Sequence, residues 1–156
     1  MMFKKKFFLV LFLLAGAFSS CKKEGYDRDK QLAIDDTLIK EFITKNNIPA
    51  IKDKSGVYYQ IIKQGNGSVN VTSTTLIKVT YEGRLLNGNI FDKNSAGKTF
   101  SLNDLIEGWQ IGLPKIRSGG TIRLIVPSTL GYGNQSQGDI PANSVLDFTI
   151  DLIDAK

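Results

Sequence analysis

The chain has 156 residues, 42% hydrophobic and 22% charged, with 20 Lys and Arg against 15 Asp and Glu, one Cys and no His. This supports a globular domain with room for an appendage and excludes a wholly disordered, collagen-like or coiled-coil chain. Without His there is no Ser-His-Asp or Cys-His catalysis and no imidazole zinc site, and a lone Cys forms no internal disulfide.

The net charge of +5 is unevenly spread. Lys4, Lys5 and Lys6 fall in residues 1–21 without an acid, which leaves 17 bases against 15 acids in the rest and no basic stripe for nucleic acid. Lys4–Lys6, the apolar run Phe7–Ala15 and the small residues to Ser20 have the three-part layout of a bacterial secretory signal. The apolar run is short of the roughly 20 residues that a transmembrane helix needs. Ala17-Phe18-Ser19-Ser20-Cys21 resembles the lipobox of bacterial lipoproteins, with Phe18 where Leu is usual. The expectation is a lipoprotein signal peptide over 1–20 and acylation of Cys21. The mature chain would then be lipid-anchored in the cell envelope, on the outer membrane facing the periplasm. An ordinary signal peptide cut nearby, with Cys21 incidental, is the competing reading.

Residues 22–31 are polar and read as a tether. From Asp29 to about Asn46 the spacing of Leu32, Leu38, Ile39, Phe42 and Ile43 predicts a helix with one apolar face, stopped by Asn46-Asn47 and Pro49. Asp35-Asp36 reads as solvated helix face. Tether and helix together occupy 21–54, and the globular domain 55–156. Val57–Ile62 and Thr75–Leu86 are predicted strands, the second ended by the turn dipeptide Asn87-Gly88. Phe100–Leu102 reads as a short extended piece, and Asn103 as the cap of a short helix to about Leu113 that Gly108 and Gly112 weaken. Thr121–Pro127 is a further strand. In Val145–Ile153, Leu146, Phe148, Ile150 and Leu152 alternate with Asp147, Thr149 and Asp151, the period of a half-buried antiparallel strand. Four or five strands with two helices give an α+β class with a mostly antiparallel sheet.

Two nucleotide-binding patterns fail. Gly97-Lys98-Thr99 ends like a P-loop, but the first Gly of that motif would fall on Asp92. Gly131-Tyr132-Gly133 begins like a dinucleotide fingerprint, whose third Gly would be Ser136.

What remains is a set of aromatic residues where strands meet loops: Tyr81, Phe91, Phe100, Trp109, Tyr132 and Phe148. They are embedded in Val79-Thr80-Tyr81-Glu82-Gly83, Gly88-Asn89-Ile90-Phe91-Asp92, Leu105-Ile106-Glu107-Gly108-Trp109, Leu130-Gly131-Tyr132-Gly133 and Ile140-Pro141-Ala142-Asn143. In this order and at these spacings the strings resemble the FKBP-type peptidyl-prolyl cis-trans isomerases, over about residues 56–156. The whole chain looks like lipid-anchored members found in Bacteroidetes-type bacteria.

The resemblance implies an FKBP-like antiparallel sheet of five to six strands wrapped around a short helix, here with an N-terminal helical extension. It implies a cleft with Trp109 as floor, Tyr81, Phe91 and Phe148 as walls, and Leu105 and Ile106 at the rim. The Ile106 N–H would hold one substrate carbonyl and the Tyr132 hydroxyl a second. Asp92, buried beside Phe91 and held by neighbouring donors, would face the twisted amide. Ile140 would lie on a loop over the cleft, and Lys98 would stand in the substrate-binding wall where the family commonly has an aromatic. Proline-containing polypeptides are the implied partners, with macrolides such as rapamycin as ligands, and no cofactor or nucleic acid is implied. Since every such residue lies between Tyr81 and Phe148, segment 22–50 is expected to be dispensable.

The residue types suit the chemistry. Rotating an X–Pro amide meets a barrier of about 18–20 kcal/mol set by amide resonance, and no proton need move. A dry aromatic pocket can favour the twisted, less polar amide over the planar one. A catalytically weak peptide-binding chaperone on the same fold is the alternative function, and an unrelated envelope adaptor whose aromatics are only core is a third reading.

Overall fold

The computed structural model describes residues 25–156, so the predicted signal segment and Cys21 lie outside the described residues. The first helix, α1 (Arg28–Lys45), begins where the Asp27 carboxylate accepts the Lys30 backbone N–H at 3.0 Å, which satisfies one of the orphan donors of a helix start. The polar segment read as tether therefore already contributes the first turn. The strands β1 (Ile51–Lys52), β2 (Tyr58–Lys63), β3 (Leu76–Leu85), β4 (Ile90–Ser101), β5 (Gly120–Val126) and β6 (Leu146–Ala155) form one sheet in the order β1-β2-β5-β6-β3-β4, every neighbour antiparallel.

The sheet has six strands where the sequence pattern gave four or five. The short β1 went unread, and Phe100–Leu102 is no isolated piece: Phe100 and Ser101 end the long edge strand β4, and Leu102 opens a 3-10 turn to Asp104. Asn103 lies inside that turn and caps nothing. The short helix α2 (Glu107–Gly112) starts later, after Ile106. The Asn87-Gly88 turn is as expected, with Gly88 at φ 91° and its N–H on the Leu85 carbonyl.

One face of the sheet wraps α2. Ile77, Val79, Ile122, Leu124, Val126, Ile150 and Leu152 are buried there with Trp109 and Leu113. Gly108 and Gly112, poor helix formers by propensity, are what bring α2 onto β5: a Cβ on either would collide with Val126 or Leu124. Burial of those side chains outweighs the propensity cost of about 1 kcal/mol per Gly.

The opposite face carries α1. Ile39 is buried against Ile48, Tyr58, Ile125 and Val145, flanked by Phe42 and Ile43. Leu38, read as part of that stripe, is instead 42% exposed. The two acids read as solvated are anchors. Asp35 is fully buried, and Asp36 accepts from the Tyr58 hydroxyl at 2.8 Å and pairs with Lys40 and Lys52 at 2.7 and 2.6 Å. The helix turns its acids, more than Leu38, toward the sheet because donors wait for them there.

Burial pushes the Asp36 carboxyl up, but hydrogen bonds from Lys40, Lys52 and Tyr58 outweigh it and hold it at about 2, below the ordinary 3.8. Because the folded-state value is the lower one, this stabilisation is complete above about 3.8 and is lost as pH falls through about 2. Asp36→Asn is therefore expected to lower unfolding free energy by roughly 1 kcal/mol at neutral pH. The variant should also lose less stability than wild type on acidification through that window, as measured by urea unfolding at stepped pH; parallel curves for the two proteins would contradict this.

Candidate active site

The cleft lies between α2 and the concave face of the sheet. Its base is set by register. Gly83 of β3 is paired with Asp92 of β4 on one side and Phe148 of β6 on the other. A Cβ on Gly83 would sit 2.6 Å from Phe91 Cζ and 2.8 Å from Phe148 Cε1. Its absence lets the two rings meet edge to face, with centroids 5.5 Å apart and planes at 89°. Phe148 then meets Trp109 at 5.3 Å and 89°, and Trp109 meets Tyr81 at 5.3 Å and 81°. Phe100 closes the series at 6.4 Å from Tyr81. Edge-to-face pairs each add about 0.5–1.5 kcal/mol beyond area burial and fix ring orientation. Trp109 is 4% exposed, and its Nε1 has no hydrogen-bond partner among the described residues.

The opening measures about 280 Å³. It is lined by Tyr81, Phe91, Asp92, Lys98, Phe100, Asp104, Leu105, Ile106, Trp109, Tyr132 and Phe148. The structure thus brings together every site residue expected from sequence within the described residues, except Ile140. That side chain is 5% exposed and belongs to the core cluster that holds Trp109 and Phe148. Its backbone is tied to Gln137 by two hydrogen bonds of 2.9 Å. An isoleucine gains more by burial in that core than by overhanging an open cleft.

Polar groups share the lining with the rings: Asp92, Lys98 and Asp104, and the hydroxyls of Tyr81 and Tyr132. The Tyr81 hydroxyl donates to Asp92 Oδ2 at 2.8 Å. Burial pushes the Tyr81 hydroxyl up to about 12, with the hydrogen bond to Asp92 and the charge of that carboxylate adding to the shift. Burial, then the Asp92 charge, also raises Tyr132. Asp92 itself is exposed rather than buried; β4 is an edge strand, so its carboxylate reaches solvent while Tyr81 still holds it. Ile106 precedes α2, and its carbonyl accepts the Trp109 N–H at 3.0 Å. Its own N–H reaches no backbone carbonyl among the described residues. Lys98 extends its ammonium over Phe100, 4.9 Å from the ring centroid, so its contribution to the wall is a cation–π contact. Sequence reasoning missed Asp104. It carries no motif of its own, and only the 3-10 turn that carries it beside Leu105 brings it to the cleft.

The model of the FKBP-type peptidyl-prolyl cis-trans isomerase family matches residues 67–153. Over 108 residues the chain is 47% identical to the FKBP-type peptidyl-prolyl cis-trans isomerase FkpA of Buchnera aphidicola from Schizaphis graminum, covering 67% of this chain and 43% of that one. Against FkpA of Escherichia coli K12 it is 38% identical over 105 residues, 65% of this chain and 38% of the relative. The chain therefore spans about half the length, or less, of these curated relatives. The crystal structure of Escherichia coli FkpA superposes with a TM-score of 0.70 at 32% identity, over 83% of this chain and 62% of that one. A peptidyl-prolyl cis-trans isomerase from Pseudomonas syringae pv. tomato superposes at 0.71 with 27% identity, over 83% and 96%.

Proposed function

Since this chain belongs to the FKBP-type peptidyl-prolyl cis-trans isomerases, we infer that it catalyses rotation about X–Pro bonds in polypeptides that fold in the cell envelope. The observation that carries this is the series of edge-to-face rings from Phe91 through Phe148 and Trp109 to Tyr81, open to solvent at one side. A prolyl ring laid on Trp109 would have its amide flanked by Tyr81, Phe91 and Phe148. The free N–H of Ile106 would take one carbonyl of the peptide, and the Tyr132 hydroxyl another. Twisting removes amide resonance and lowers the polarity of the C–N bond, so an apolar enclosure binds the twisted state better than the planar one. Asp92 acts by position and charge: it orients Tyr81 and faces the amide, and no proton has to leave it. Leu105 and Lys98 would contact residues flanking the proline, and macrolides such as rapamycin would compete for the same cleft.

The location rests on the sequence. The n-region, the apolar run and the small residues before Cys21 support cleavage there and acylation of its sulfur. Each buried methylene of an acyl chain contributes about 0.8 kcal/mol, and two chains suffice for stable anchoring.

The isomerase reading is tested by the rate of cis-to-trans conversion of proline peptides with the full chain. Turnover should be blocked by rapamycin and nearly flat between about pH 6 and 9, since no His titrates and the Tyr81 hydroxyl stays protonated. Asp92→Ala should slow it about ten-fold. Protein-assisted refolding without any acceleration of peptide conversion would mean a binding chaperone instead. Acylation is tested by membrane partitioning: Cys21→Ser should move the protein to the soluble fraction, and a wild type recovered soluble without detergent would overturn the anchor.

A further inference from the structure

Asp35 of α1 is fully buried, yet its hydrogen-bond donors are neutral. Its Oδ2 accepts both the backbone N–H and the hydroxyl of Ser128, at 2.8 and 2.7 Å, and its Oδ1 accepts from Gln31 Nε2 at 2.8 Å. Desolvating a carboxylate is expensive, and a leucine-sized apolar residue would satisfy a purely structural need at lower cost. What the carboxylate does that an apolar group cannot is fix Ser128 by two charge-assisted bonds.

Ser128 is the first residue of the 3-10 turn Ser128–Leu130 and is itself fully buried. Its carbonyl accepts the N–H groups of Gly131 at 3.0 Å and Gly133 at 2.7 Å, the two residues flanking Tyr132. A continuous path of hydrogen bonds thus runs from α1 through Ser128 to the backbone on both sides of Tyr132. The start of the helical segment also reaches residues adjacent in sequence to the cleft lining. Tyr26 Oη stands 3.9 Å from where a Cβ on Gly133 would be, and Arg28 pairs with Glu107, next to Ile106, at 3.0 Å. That ion pair is exposed and worth little alone.

We propose that Asp35 is a positioning residue for the isomerase site, setting the place of Tyr132 through Ser128, so that the helical extension is part of the catalytic apparatus. This rests on the isomerase reading and reverses the expectation that segment 22–50 is dispensable. Mutation of Asp35 then acts on substrate handling by Tyr132, beyond any effect on stability.

The test is a double-mutant cycle in the full chain, assayed well below the melting temperature of each variant. Asp35→Asn should lower kcat/KM for a proline peptide about five-fold in wild type and less than about two-fold in Tyr132→Phe. The backbone amide resonances of Gly131, Tyr132 and Gly133 should shift in Asp35→Asn and stay in place in Ile39→Val, a control in the same helix. Equal costs in both backgrounds, or unmoved resonances, would overturn the proposal. If the wild-type protein isomerises no peptide, the function reading fails, and the resonances alone decide whether Asp35 sets the Tyr132 turn. If Asp35→Asn does not fold, Ser128→Ala, which keeps the backbone bond, is read by the same criteria.

Discussion

The missing side chain of Gly83 is the constraint on which the cleft depends. Near the hairpin end of β3, it sits between the register partners Asp92 and Phe148, and the space a Cβ would need is occupied by ring edges of Phe91 and Phe148. With those rings in edge-to-face contact, Phe148 presents its own surface to Trp109, and Trp109 to Tyr81. Orientation passes from ring to ring, so one backbone position governs the shape of the whole apolar surface. The same device brings in the floor. Gly108 and Gly112 let α2 settle onto Val126 and Leu124, which carries Trp109 into the concavity of the sheet.

The remaining polar groups are set around this apolar surface. Tyr81 is both wall and donor, its ring against Trp109 and its hydroxyl on Asp92. Tyr132 arrives from a turn built on Ser128, and that turn is clamped from behind the sheet by Asp35 of α1. The two faces of the sheet are therefore not independent: one buries Ile39 and holds the acids of the helix, and the other shapes the cleft.

Elements with one buried face were legible in the sequence. The alternation of Leu146, Phe148, Ile150 and Leu152 marks β6, and Asn87-Gly88 marks the hairpin between β3 and β4. The cleft aromatics were legible through local strings that resemble a family, which places residue types without supplying distances. Strand β4 was not legible. Its middle reads Asp-Lys-Asn-Ser-Ala-Gly-Lys-Thr because it is an edge strand with little to bury, so it has no period of two to detect. Asp35 was read as solvated because acids on helices usually are, and only the tertiary fold reveals the donors of Ser128. Ile140 does lie in the loop between Leu130 and Leu146, but its side chain is buried in the core cluster and does not line the cleft, which a lone apolar residue in a loop does not announce.

The proposed activity, rotation of an X–Pro amide enclosed by the ring series with no proton transfer, has a direct kinetic signature. The most direct measurement is kcat/KM for a proline peptide in H2O and in D2O at equivalent acidity. A ratio of about one is expected, because no bond to an exchangeable hydrogen changes in the transition state. A ratio above about two would mean that a proton moves with the rotation, which would contradict the positional role of Asp92 and of the Tyr81 hydroxyl it accepts from.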